Sequence, residues 1–90
     1  MKVFKYPIVI VADYITIAMP VDAQILTVQM QNNVACIWAL VDPDAPLIER
    51  RFRWAGTGHE IKEDIKDLWY IGTFQYIKDE LIFHLFEIIS

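Results

Sequence analysis

The sequence predicts an all-β protein, a small antiparallel β-sandwich or barrel of about six or seven short strands. Three observations point there. Short apolar or alternating runs recur along the chain with turn-forming residues between them. No run holds a helical period long enough for a helix that stands on its own. The last two runs, residues 69–76 and 81–89, are apolar on both faces, as strands inside a layered core or at a subunit interface are. Ninety residues make one domain, 1–90.

Residues 2–11 read as a first strand, with Pro7 marking an edge or a bulge. Asp13 and Tyr14 begin a turn, and residues 14–19 are extended. Pro20-Val21-Asp22-Ala23 is a loop. Residues 25–30, ILTVQM, alternate, and Leu26, Val28 and Met30 form the expected core face. Gln31-Asn32-Asn33 is a hairpin turn, because asparagine tolerates left-handed backbone.

Residues 34–56 carry two apolar runs around Asp42-Pro43-Asp44-Ala45-Pro46 and read as a central hairpin. A symmetric turn pairs Val41 with Ile48, Ala39 with Arg50, Ile37 with Phe52 and Ala35 with Trp54 on a core face, where Arg50 is the one misfit and would reach out at the edge. The reverse face pairs Leu40 with Glu49, Trp38 with Arg51 and Cys36 with Arg53. Trp38 beside Arg51 suits cation–π stacking, or a flat ligand held near cations. A register slip of one residue would exchange the two faces.

Gly56-Thr57-Gly58-His59 is a tight loop, and the charged stretch 60–67 is a loop with at most one helical turn. The closing hairpin turns at Ile77-Lys78-Asp79-Glu80. Its expected partners are Phe74/Phe83, Gly72/Leu85 and Tyr76/Leu81 on one face, with Gln75/Ile82, Thr73/His84, Ile71/Phe86 and Trp69/Ile88 on the other.

Composition narrows the function. The apolar fraction is 56%, high for a chain with so much surface for its volume, so a homo-oligomer is expected. A net charge of −4 argues against general nucleic-acid binding, which needs a basic footprint. The single cysteine, Cys36, lies in an apolar strand and reads as a buried thiol. No signal-peptide pattern and no run of transmembrane length is visible, so a cytoplasmic protein without a membrane partner is expected.

No catalytic motif, cofactor motif or metal-ligand spacing stands out, and the expectation is a protein that is not an enzyme. His84, facing Thr73, reads as a hydrogen-bonded structural histidine. One constellation has the parts of an anion or nucleotide site. Trp38 is a stacking platform, and Arg51 and Arg53 offer guanidinium forks. The Thr57, Gly58 and His59 loop could form a nest of backbone N–H groups. The same loop reads more simply as a plain turn, since GTG loops are common in β proteins as turns and this one does not match GxxxxGKS/T.

The blocks KVFKYPI, MP followed by ILTVQ, CIWALVDPDAP, RRFRWAGTGH, YIGTFQ and FHLFE fall in order over nearly the whole chain. In them the chain resembles a family of small, functionally uncharacterised proteins of tailed bacteriophages and prophages. It departs from that pattern after GTGH, where Glu60-Ile61-Lys62 stands in place of a proline-containing loop. The resemblance implies an accessory protein acting in the cytoplasm of a bacterial host, similar in size and origin to anti-defence proteins. Two modes follow. One is capture of a small anionic, nucleotide-like signalling molecule by Trp38, Arg51, Arg53 and the Thr57–His59 loop. The other is a protein–protein inhibitor that covers a host defence protein, as anti-CRISPR proteins do, or a structural phage component.

Overall fold

The structure, a computed structural model, describes residues 1–76 and 81–89. Seven strands lie among them: β1 (Lys2–Ile8), β2 (Tyr14–Pro20), β3 (Gln24–Gln31), β4 (Val34–Val41), β5 (Leu47–Gly56), β6 (Leu68–Tyr76) and β7 (Leu81–Ile88). They form two antiparallel sheets, ordered β1-β4-β3 and β2-β5-β7-β6, so the all-β sandwich is the fold. A 3₁₀ turn at Ile65–Asp67, capped by the Asp64 side chain, sits within the stretch expected to be loop.

The central hairpin is not formed. β4 lies between β1 and β3 in one sheet, and β5 between β2 and β7 in the other. The Asp42–Pro46 turn therefore carries the chain across the sandwich. The partners expected side by side, such as Ile37 with Phe52, lie in different sheets instead, and both belong to the one buried core. The expected core face survives this correction except at Ile48, which is 43% exposed near the start of β5. Ala35, Ile37, Ala39 and Val41 of β4, and Phe52 and Trp54 of β5, are all buried. Alternation sorts residues by face, and it does so whether two strands pair edge to edge or pack layer on layer.

The hairpins on either side hold. Asn32 and Asn33, with φ of 51° and 66°, close β3 to β4 with Gln31 opposite Val34. β6 and β7 pair as expected from Tyr76/Leu81 to Gly72/Leu85. Their turn, residues 77–80, lies outside the described residues. β1 ends at Ile8 rather than residue 11, and Pro7 does sit on an edge strand. Pro20 closes β2 rather than opening a loop.

Two bulges break the expected registers. Leu26 is an extra residue in β3, so Ile25 and Val28 both face the core while Leu26 is 48% exposed. Leu26 was expected inside, and a strict alternation cannot foresee an inserted residue. Ile71 is the extra residue in β6. Beyond it Phe86 pairs with Tyr70 and Ile88 with Leu68, not with Ile71 and Trp69.

β3 and β6 pack against each other across the sandwich. Next to both bulges the layers come close enough that a Cβ on Gly72 would lie 2.9 Å from Cγ1 of Val28. Valine is stiff at χ1, so the sheets themselves would have to part. Gly72→Ala is expected to lower stability by about 1–3 kcal/mol in urea unfolding. Pairing it with Val28→Ala should return part of that loss, and additive losses would show that the contact is not the cause.

Candidate functional site

The two bulges face each other, and where they splay the sheet edges a cleft of about 450 Å³ opens. Ile25 and Leu26 line one wall, and Trp69, Tyr70 and Ile71 the other. Bulges often occur beside functional sites because they re-aim side chains. Trp69 stands opposite Glu87 on β7, on the inner face of its sheet, yet it is 66% exposed because it lies at the cleft mouth.

Charged side chains also line this mostly apolar cleft. Arg50 and Glu87 also point between the layers and form a bidentate pair, Nε to Oε2 at 2.6 Å and Nη2 to Oε1 at 2.7 Å. Arg50 Nη1 donates to the carbonyl of Ala23 at 2.5 Å. The Glu87 hydrogen bond holds the Arg50 guanidinium above its usual pKa, against the opposing effect of burial. The sequence marked Arg50 as the misfit on a core face. The partner that resolves it, Glu87, is 37 residues away along the chain and could not be read from spacing.

The residues expected to form an anion site do not come together. Trp38 and Arg51 lie on the outer faces of opposite sheets, since each alternates with a core residue of its own strand. The cation over the Trp38 ring is Lys5, its neighbour on β1, at 5.8 Å. Arg53 is only 5% exposed and its fork is spent within the protein. Nε donates to Glu63 at 3.1 Å, Nη1 to the Trp54 carbonyl at 2.5 Å and Nη2 to the Glu60 carbonyl at 2.9 Å. Its guanidinium also stacks on Tyr14 at 5.2 Å. The segment after the glycine loop thus folds back over the arginine and covers it.

The loop itself turns at Gly58, whose φ of 86° favours glycine. Its N–H groups are not presented as a nest. Thr57 N–H donates to Ile82 and His59 N–H to Gly56, both to carbonyls. The Thr57 hydroxyl is bonded to His84 Nε2 at 2.8 Å, and His84 Nδ1 to the Thr73 hydroxyl at 2.9 Å, so His84 is held by hydrogen bonds as expected. His59 and Arg53 do line a second cavity, with Asp13 and Glu60. Two carboxylates against one guanidinium make that wall unsuited to phosphate. Among the described residues, no group of three or more His, Cys, Asp or Glu could hold a metal ion, and no helix is long and apolar enough to cross a membrane.

Residues 1–89 match the family model described as a domain of unknown function (DUF7352), and the chain belongs to that family. No curated protein and no solved structure matches the chain.

Two measurements follow from these ion pairs. Removing Arg50 or Glu87 alone leaves a largely buried partner unpaired in the cleft. A double-mutant cycle of Arg50→Met and Glu87→Gln is expected to show a coupling of about 1–3 kcal/mol, and no coupling would make the pair incidental. The second concerns Glu63. The Tyr14 hydroxyl, then Arg53, hold its carboxyl below the ordinary glutamate range. A lowered folded pKa contributes stability above the unfolded value, and this is lost as pH falls through the folded one. Wild-type stability should therefore drop more steeply below about pH 5 than that of Glu63→Gln, with parallel curves excluding Glu63 as a source.

Proposed function

We propose, for this member of the DUF7352 family, a binding protein rather than a catalyst. It captures a small nucleotide-like molecule by its flat ring in the cleft between β3 and β6. One observation carries this reading: a largely exposed indole, Trp69, stands at the mouth of a cleft that contains a guanidinium–carboxylate fork. Aromatic rings stack on an exposed indole at little entropic cost. The Arg50–Glu87 pair offers further N–H donors and carboxylate lone pairs side by side, the pattern that the edge of a heterocycle or an amide meets. Because Arg50 and Glu87 are bonded to each other, they are placed to recognise a ligand rather than to transfer its protons.

The site differs from the Trp38–Arg51 face that the sequence suggested, and so does the half of the ligand it takes. Asp22 and Glu87 outnumber Arg50 in the lining, which favours a neutral or cationic ring and leaves any phosphate outside. The resemblance to phage proteins supports an accessory, anti-defence role of the capturing kind in a bacterial host. A second reading is a protein inhibitor whose partner inserts a side chain into the same cleft. The exposed Leu26, Trp69 and Tyr70 around its rim support it, since aromatic residues dominate binding hot spots.

Thermal shift with nucleosides and mono-, di- and cyclic nucleotides tests the first reading. A ligand that binds only the folded state adds about 2.7 kcal/mol at a hundredfold excess over its dissociation constant. The expected result is a shift for one class that disappears in Trp69→Ala, whose own stability stays near wild type because the side chain is exposed. A flat response across the panel, or a shift that survives Trp69→Ala, would remove the cleft from consideration as a nucleotide site.

A further inference from the structure

We infer that the free edge of β2 is a self-association surface, where a second copy of this chain adds its own β2 antiparallel to extend the four-stranded sheet. The sandwich has four edges, and three of them are guarded. β1 carries Lys2, Lys5 and Pro7, while β3 and β6 are interrupted by bulges. Charge, proline and bulges are the devices by which exposed edges avoid pairing. β2, YITIAMP, has no charged residue and no break in its register with β5, and its one proline comes at its end.

The ladder shows which groups that edge presents. Trp54 N–H donates to the Asp13 carbonyl, and Val21 N–H to the Pro46 carbonyl. In an antiparallel ladder, hydrogen-bonded pairs alternate. Ile15, Ile17 and Met19 therefore direct their amides towards β5. Tyr14, Thr16 and Ala18 direct theirs outward; Thr16 and Ala18 are exposed, while Tyr14 is 36% exposed with its side chain engaged on the outer face by Glu63, Arg53 and Lys62. Pro20 has the outward parity too, so the N–H it lacks is one the fold does not use.

The edge is also self-complementary. A two-fold axis through Thr16 places Thr16 opposite Thr16 of the partner subunit and Tyr14 opposite Ala18 of the partner subunit, with every outward amide bonded. The Thr16 pair is a favourable cross-strand match. Ile15 and Ile17 face the core but are only partly buried at this edge. The same register sets Ile15 beside Ile17 of the partner subunit and removes more of both from water. β2 and β6 are opposite ends of one sheet, so association leaves the cleft open.

The test is mass in solution by light scattering coupled to gel filtration, across a dilution series. Wild type should run at about twice its 10.5 kDa and dissociate on dilution. Thr16→Pro removes an outward N–H without touching the β2–β5 ladder, and Thr16→Lys sets like charges across the axis. Each should give a folded monomer, and the lysine variant keeps the test alive if the proline variant fails to fold. Gln75→Lys, on the guarded β6 edge, should leave the mass unchanged. A wild-type monomer at the highest concentration, or a dimer that persists in Thr16→Lys, would overturn the assignment.

Discussion

The whole arrangement depends on where the chain crosses between layers. β4 and β5 are consecutive, and each is an interior strand of a different sheet. Pro43 and Pro46 in the link disfavour continued sheet pairing, while Asp42 accepts the backbone N–H of Asp44 to make a local turn. Once the link crosses, the inward rows of both strands meet as two walls of one core. Ala35 and Ala39 are small buried residues of that core and Phe52 and Trp54 large ones. A buried core of this kind, packed densely between two sheets, is what makes a short chain stable. The crossing also separates Trp38 from Arg51 and creates four sheet edges to be managed.

Those edges are managed unequally, and the difference has consequences. β3 and β6 must stay close where Gly72 meets Val28, yet both contain an extra residue just beyond. An extra residue bends its strand and increases its twist. Two such bends facing one another open a gap that side chains alone do not fill. Arg50 reaches into that gap from a position that would otherwise be core. It is tolerated there because Glu87 and the Ala23 carbonyl engage its guanidinium, which meets the requirement that a buried charge be paired and hydrogen-bonded. The cleft and the ion pair thus share an origin in backbone geometry.

Much of the fold was legible because it rests on local chemistry. Alternation marked the strands and the buried face of β4 and β5, and the Asn32-Asn33 turn and the Gly72-to-Tyr76 register followed from turn residues and opposed pairs. What was not legible rests on choices that leave no mark in a local pattern. An apolar face looks the same whether its partner is beside it or across from it, so a local pattern pairs β4 and β5 edge to edge although they lie in different sheets. Leu26 and Ile71 are ordinary strand residues, and nothing in them announces a bulge. The candidate site suffered most, because it was assembled on the assumed hairpin. Arg53 looked available until the chain after Gly58 folded back to bind it, a contact made by Glu60 and Glu63 that a reading strand by strand does not bring near. Arg50 alone carried a usable signal, a charge on a core face.

The distribution of the arginines then decides what kind of ligand chemistry the protein can support. Arg50 and Arg53 each line a cavity, and each is outnumbered there by acidic residues: Asp22 and Glu87 around one, Asp13 and Glu60 around the other. A phosphate entering either cavity would have to displace an existing carboxylate from its guanidinium, exchanging one charge-assisted pair for another while facing the remaining acid. In the proposed capture, a flat, uncharged or cationic ring would displace nothing, stack on the exposed indole of Trp69 and use the hydrogen-bonding capacity that the Arg50–Glu87 fork retains. In a chain of net charge −4, recognition by ring stacking and hydrogen bonding is the mode that does not work against the field of the protein itself.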